Sequence, residues 1–105
     1  MKLSQIAHAR SGDKGNHANI GVIANDSAAF TFLGANLTAE VVSDFFSALK
    51  PSRVERFELP GIQAYNFLLH DVLEGGGSQS LRIDSQGKTL ASILLELDLP
   101  EIVTQ

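Results

Sequence analysis

The first quarter of the chain has the polar and apolar pattern of two strands joined by a polar loop. Residues 3–9 lack a helical stripe, and as a strand they would place Ile6, His8 and Arg10 on one face. The apolar, partly β-branched run over 18–24 is bounded by polar residues and predicts a buried central strand. Residues 11–16 are turn-forming types and predict a loop between the two strands.

Two longer stretches have the apolar spacing of an amphipathic helix. The first begins at Thr38, a favourable N-cap, and is preceded by a shorter helix over 28–33 that follows polar capping residues. The second covers residues 64–73 and ends at the three glycines 75–77. The apolar stripe of the first helix consists of Val41, Val42, Phe45, Phe46 and Leu49.

The remaining pattern predicts three further strands. Residues 53–59 alternate, with Phe57 and Leu59 in phase and Val54 out of phase, which indicates a bulge or an edge strand. A hairpin closes the chain: residues 81–84, a turn at 85–87, and a last strand with apolar residues at every second position over 93–99. The predicted order β-β-α-β-α-β-β, with a helical turn near residue 30, gives an α+β, ferredoxin-like sandwich. In it, two main helices cover one face of a mainly antiparallel sheet.

Length and composition restrict the molecule to one globular domain over residues 1–105. The chain has 105 residues, 44% of them hydrophobic, and no cysteine, which excludes disulfides and thiolate chemistry. It has no apolar run long enough for a membrane span and no signal-peptide pattern, so we expect a cytoplasmic protein without a membrane partner.

The uneven charge of the chain favours a small anionic ligand. The formal net charge is −4, which argues against nucleic acid as a partner. Residues 1–25 nevertheless hold three Lys or Arg residues against one acid, whereas the rest holds five against eleven. This positive part of the chain is short and contains glycine, a composition better suited to a small anion than to a polymer.

The densest group of polar residues is therefore the candidate ligand site. Two glycines three residues apart could let backbone N–H groups converge on an anion, with Arg10 and Lys14 adding positive charge. The alternative is an ordinary connection between strands with solvated side chains. His8 and His17 flank this segment and could meet if the strands pair, but their spacing is not that of a specific zinc site, so we predict no metal and no cofactor. The candidate ligand-binding residues are Arg10, Ser11, Gly12, Asp13, Lys14, Gly15 and Asn16.

The leucine-rich end of the chain favours self-association. A small sheet with helices on one face leaves its other face exposed, and the predicted last strand has more apolar positions than one helix layer needs. We therefore expect a homo-oligomer or a complex with another chain.

The candidate site and several later segments resemble a known family. Residues 6–16, Ile-Ala-His-Ala-Arg-Ser-Gly-Asp-Lys-Gly-Asn, followed by Ala-Asn-Ile-Gly-Val at 18–22, resemble the signature of the small C-terminal domain of AtuA-like (acyclic terpene utilisation) proteins. Further similar segments are residues 58–60, 66–70, 75–77, 80–82 and 86–91. The resemblance implies a ferredoxin-like fold in a stand-alone small chain. It also implies a link to the catabolism of branched, terpenoid acids as CoA thioesters.

Two functions are compatible with this resemblance. In the first, the chain is the small subunit or detached domain of an AtuA-like complex that acts on an acyl-CoA or a related anion, and it is not catalytic alone. Arg10 and Lys14 would neutralise a carboxylate or phosphate, Asp13 would orient Lys14 or act as a base, and Asn16 would donate an amide hydrogen bond. In the second, the chain is a non-catalytic homo-oligomeric binding or scaffolding module, in which the same segment is structural.

Overall fold

A computed structural model describes residues 1–72 and 89–102 of the chain. The four strands are β1 (Ala7–Lys14), β2 (His17–Ala24), β3 (Arg53–Leu59) and β4 (Ala64–His70). The three α-helices are α1 (Ser27–Asn36), α2 (Ala39–Phe45) and α3 (Leu90–Leu94). Short 3-10 helices cover Leu3–Gln5, Ser47–Leu49 and Pro60–Ile62. Within the described ranges, no helix is long and apolar enough to cross a membrane.

The four strands form one antiparallel sheet in the order β1-β2-β4-β3. β2 and β4 lie in the middle, and their register pairs Ile20 with Phe67 and Gly21 with Asn66. The pairing of β3 with β4 continues from Arg53 opposite His70 to Leu59 opposite Ala64 without interruption. The bulge suggested by Val54 is therefore absent from this ladder, and β3 lies at an edge of the described sheet.

The hydrophobic core lies between one face of this sheet and the helices. Every second residue of β2 is buried, and so are Tyr65, Phe67 and Leu69 of β4. α1 packs on β2, α2 on β3 and β4, and α3 on β1 and β2. We call the face under the helices the covered face and the opposite one the open face. The predicted class, an α+β fold of ferredoxin-like type, is confirmed.

Both predicted helix starts near residues 27 and 38 are confirmed by their caps. The Asp26 carboxylate accepts a hydrogen bond from the backbone N–H of Ala29 at 2.8 Å. The Thr38 hydroxyl accepts one from the N–H of Val41 at 3.1 Å. These local bonds satisfy N–H groups that the helix itself leaves without a partner.

The helix predicted over 64–73 is wrong, because residues 64–70 form strand β4. Its leucines and aromatics fit a helical stripe, but residues 65, 67 and 69 also repeat with period two. As a strand between β2 and β3, this segment has residues 65, 67 and 69 on the same face of the sheet, where their side chains are buried. The glycine run 75–77 and the hairpin predicted over 81–87 lie outside the described residues.

The predicted last strand is also wrong in its first part. Thr89 caps the short helix α3, whose Ser92 N–H donates to the Thr89 hydroxyl at 3.2 Å. Of the alternating apolar residues of that segment, Leu99 is buried in the same core as the sheet, and the other three pack against this core and are partly buried: Ile93, Leu95 and Leu97. The apolar residues that suggested self-association therefore pack within the chain, and the homo-oligomer stays a prediction without that support.

Candidate functional site

The segment predicted as a ligand-binding loop is largely strand. Residues 11–14 belong to β1 and pair with β2 as far as Lys14 opposite His17, so the turn consists of Gly15 and Asn16 alone. Gly15 has a φ of 62°, a left-handed conformation that favours glycine at the first position of a tight hairpin turn. The expected loop with converging N–H groups is therefore not formed, because an extended strand points successive N–H groups to opposite sides.

Strand alternation also separates the predicted site residues. Arg10 and Gly12 lie on the open face, whereas Ser11 and Asp13 lie on the covered side, at its solvent-exposed end. Positions 13 and 14 thus belong to opposite faces in the strand register, and the orientation of Lys14 by Asp13 stays a prediction. The ligand-binding roles of the other predicted residues stay predictions.

Arg10 lies beside a part of the open face that has little side-chain bulk. It is exposed and pairs with Gly21, which in turn pairs with Asn66 of β4. A Cβ atom at position 21 would still lie 3.9 Å from Oδ1 of Asn66, and one at position 12 would lie 3.0 Å from Oδ1 of Asn19. Gly21 therefore leaves a shallow area next to Arg10, beside the side-chain amide of Asn66, whereas the side chain of Asn19 already lies over Gly12.

All three histidines of the chain lie on the open face, but His8 and His17 do not meet. His8 pairs with Ile23 and His17 with Lys14, so they lie at opposite ends of the hairpin, about 20 Å apart along the strand. Within the described ranges, no group of three or more His, Asp or Glu residues could hold a metal ion. The idea that His8 and His17 converge is thus wrong.

His17 instead contacts His70 of the neighbouring strand. The two ring centroids are 4.8 Å apart, with an interplanar angle of 64°. Nδ1 of His17 accepts a hydrogen bond from the backbone N–H of Asp71 at 3.1 Å. Asp71 has a φ of 62°, and its carboxylate accepts a hydrogen bond from the hydroxyl of Ser52. This turn after β4 therefore fixes the orientation of the His17 ring.

His70 is held on its other side by Glu55 of β3. Nε2 of His70 lies 2.7 Å from Oε1 of Glu55, and the Arg53 guanidinium lies 3.2 Å from the same oxygen. The hydrogen bond from His70, assisted by the charge of Arg53, holds the pKa of the Glu55 carboxyl below its usual value despite partial desolvation. An ionised carboxylate only accepts hydrogen bonds, so Nε2 of His70 carries the proton.

The sequence-based interpretation missed this group because it assigned residues 64–73 to a helix. In that helix, His70 would be a surface residue with no fixed relation to Glu55 or His17. The signal for the contact is the alternation of residues 65, 67 and 69, which assigns His70 to the opposite face of a strand.

A small apolar area occupies the other end of the open face. Phe57, Leu59 and Ile62 are 45%, 43% and 62% exposed, although all three are large hydrophobic residues. Phe57 and Leu59 pair with Asn66 and Ala64 in the ladder and so lie on the open face. Phe57 and Leu59, which the alternation pattern predicts to be in phase, thus lie outside the core, whereas Val54 lies on the covered face.

Comparison with known proteins identifies the family. The family model of the AtuA ferredoxin-like domain matches residues 1–100. The chain belongs to this family. No curated protein and no solved structure matches it. The match spans nearly the whole AtuA ferredoxin-like domain described above, from the strand pair that holds Arg10 to Leu99 in the core.

Proposed function

We propose that this AtuA ferredoxin-like domain binds an anionic metabolite on the open face of its sheet. One observation carries the proposal: in the described strands of this acidic chain, basic side chains outnumber acidic ones on that face. The net charge is −4, yet the open face holds Arg10, Arg53 and the three histidines, with Glu55 as its acid in the described strands. The positive electrostatic potential of such a group of side chains favours the binding of anions.

Arg10 is the residue we assign to direct contact with the anion. It is exposed and lies next to the area left free by Gly21. An arginine can donate two parallel hydrogen bonds to a carboxylate or a phosphate. Asn19 and Asn66 flank this area and supply amide groups for the polar atoms of the ligand.

The ligand class we propose is a CoA thioester of a branched-chain acid, bound as part of an AtuA-like complex. A CoA thioester has several phosphate groups for the basic residues and an acyl chain for an apolar surface. The exposed Phe57 and Leu59 supply such a surface on the same face of the sheet. We assign the chain the part of small subunit or detached domain, with a large AtuA-like chain as partner and no catalysis by this chain alone.

The test is calorimetric titration of the chain with CoA and with a branched acyl-CoA, using Arg10→Gln and the matched variant Lys50→Gln. Lys50 is an exposed cation outside the strands, so its replacement changes the net charge equally. Losing one charge-assisted contact, worth about 1.5–3 kcal/mol, should weaken binding about 10-fold to 150-fold in Arg10→Gln. Lys50→Gln should bind like the wild type.

Three outcomes contradict the proposal. If CoA binding is weakened equally in Arg10→Gln and Lys50→Gln, the chain attracts anions only non-specifically. Absence of binding by the wild type would remove the anion-binding function. Tighter binding of a single-stranded oligonucleotide than of CoA would replace the small ligand by a nucleic acid. The complex is tested separately, by co-purification of the native chain and identification of the large chain by mass.

A further inference from the structure

Three glycines lie within the described strands and α-helices, namely Gly12, Gly21 and Gly34. Glycine inside such an element destabilises the fold, so each of these positions needs a physical reason. A Cβ atom at position 34 would lie 2.6 Å from the hydroxyl oxygen of Tyr65. One at position 12 would lie 3.0 Å from Oδ1 of Asn19. Both distances are shorter than an ordinary van der Waals contact, so neighbours within the chain account for glycine at these two positions.

The described part of the chain supplies no such reason at position 21. Gly21 lies in the middle of the central strand β2 and does not have a positive φ. Among the described residues, a Cβ atom there would have one neighbour within 4 Å, Oδ1 of Asn66 at 3.9 Å, which is an ordinary contact. Gly21 is also only partly buried. Alanine therefore fits the fold at this position, and the space that glycine leaves is open to another molecule.

Two polar side chains lie on either side of this space. Arg10 of β1 and Asn66 of β4 both pair with Gly21, so their Cα atoms are two strand spacings apart, about 10 Å. Arg10 is exposed, and the amide of Asn66 has no hydrogen-bond partner among the described residues. No buried side-chain N or O atom of these residues lacks a partner, so the amide of Asn66 is in contact with solvent. A group bound over Gly21 would thus lie between a cation and an amide.

We propose that the adenine ring of the CoA ligand lies against the backbone at Gly21. The inference rests on the proposed function, since it names the part of the ligand that binds beside Arg10. A side-chain amide can form two hydrogen bonds with the N6 and N7 edge of adenine, and Asn66 supplies this amide. Arg10, one strand away from Gly21, binds the phosphate on the ribose that carries the ring.

The other parts of a CoA thioester use these surroundings less completely. The acyl chain has no polar group for the amide of Asn66, and the diphosphate needs positive charge rather than space above a backbone. The pantetheine arm has amides, but its chain of tetrahedral carbons has no flat face. Adenine is the part whose flat face uses the space left by the missing Cβ atom and whose edge uses the amide.

The first experiment is thermal unfolding of Gly21→Ala without ligand. We expect the melting temperature to stay unchanged or to rise by up to about 4 °C, because alanine is more favourable than glycine inside a strand. Gly34→Ala is the contrasting variant, and its melting temperature should fall because its Cβ atom meets the Tyr65 hydroxyl. A fall in Gly21→Ala would overturn the inference, since the fold itself would then require this glycine.

The second experiment is calorimetric titration with three ligands: CoA, adenosine bisphosphate (the adenine end of CoA) and phosphopantetheine (the remainder). In Gly21→Ala, CoA and adenosine bisphosphate should bind about 10-fold more weakly, because the added methyl group lifts the ring and one hydrogen bond to Asn66 is lost. Phosphopantetheine should bind the variant and the wild type equally. Gly61→Ala makes the same chemical change outside the strands, with no described atom within 4 Å, and should bind all three ligands like the wild type.

A third variant, Asn66→Leu, tests the amide. Leucine has a similar size but cannot form hydrogen bonds, so this variant should also bind CoA and adenosine bisphosphate about 10-fold more weakly. Its binding of phosphopantetheine should equal that of the wild type. Unchanged binding of adenosine bisphosphate by Asn66→Leu would overturn the contact between Asn66 and the ring.

The outcomes separate this inference from the proposed function. CoA binding that depends on Arg10 but is the same in Gly21→Ala would overturn the position of the ring and leave the proposed function intact. Weaker binding of phosphopantetheine by Gly21→Ala would overturn the assignment to adenine. A dimer that Gly21→Ala dissociates would replace the ring by the backbone of a second copy. If the wild type binds neither CoA nor adenosine bisphosphate, both proposals are overturned.

Discussion

Replacement of Gly34 by alanine tests the packing of helix α1 on the sheet. A Cβ atom at position 34 would lie 2.6 Å from the hydroxyl oxygen of Tyr65 and 3.6 Å from its Cζ. The first distance is shorter than any van der Waals contact, whereas the second is ordinary. The Tyr65 hydroxyl is not free to move aside, because it donates a hydrogen bond to the carbonyl oxygen of Phe30 at 2.9 Å. The ring is stacked on Phe30 and 2% exposed.

The free-energy change follows from three contributions. Overpacking a core costs about 1–3 kcal/mol. Losing the buried hydroxyl's bond costs about another 1 kcal/mol. Alanine in place of glycine inside a helix stabilises the folded state by up to about 1 kcal/mol. Gly34→Ala should therefore lower the free energy of unfolding by about 1–3 kcal/mol, which lowers the melting temperature by about 4–12 °C in a domain of this size.

A double-mutant cycle with Tyr65→Phe identifies the cause. Removing the hydroxyl removes the atom that clashes, so in the Tyr65→Phe background alanine at position 34 should become neutral or stabilising by up to about 1 kcal/mol. Denaturant unfolding of the wild type, the two single variants and the double variant supplies the four values. If Gly34→Ala costs the same with and without the hydroxyl, the clash with Tyr65 is not the reason for glycine at this position.

Three other predictions concern the turn and the two titratable groups with shifted pKa values. Gly15→Ala should lower stability by about 1 kcal/mol because φ is 62° there, while Gly61→Ala, with open space and no positive φ, should be neutral by denaturant unfolding. The pKa of Glu55 is lowered in the folded protein, so its stabilising contribution is present above pH 4.5 and is lost as the pH falls through the pKa of the folded protein. In a profile of melting temperature against pH, Glu55→Gln should therefore show a smaller loss of stability on the acid side. Burial raises the pKa of Tyr65, so its contribution to stability is present below pH 10 and is lost as the pH rises through the pKa of the folded protein. In Tyr65→Phe, this loss of stability at alkaline pH should be absent.

Local signals in the sequence predicted much of the helix layer and part of the sheet. Asp26 and Thr38 cap helices by bonds to residues three positions away, so their effect is visible in a short window. Residues 20–24 of β2 are apolar or glycine, which indicates a buried central strand regardless of its partners. Residues 64–70 and 90–94 carry apolar spacings compatible with both a helix and a strand. Only their partners in the fold decide between the two, and these are distant in sequence.

The residue types of the candidate site were visible in the sequence, but their arrangement in space was not. The basic and glycine-bearing segment around Arg10 indicated an anion from composition alone. The contact of His70 with Glu55 spans 15 residues, and that of Asp71 with His17 spans 54. Both depend on the registers of β2, β3 and β4, which no local pattern specifies.

The two faces of the sheet separate the hydrophobic core from the proposed binding site. The covered face holds the buried side chains of β2 and β4, and their removal costs stability because it leaves cavities. Arg10 and Arg53 project from the open face and are exposed, so changing them removes little packing. Binding defects in such variants can therefore be attributed to lost ligand contacts once an unchanged melting temperature has been measured. Tyr65 and Gly34, on the covered side, cannot be used in this way, because their substitution alters the packing of α1 on the sheet.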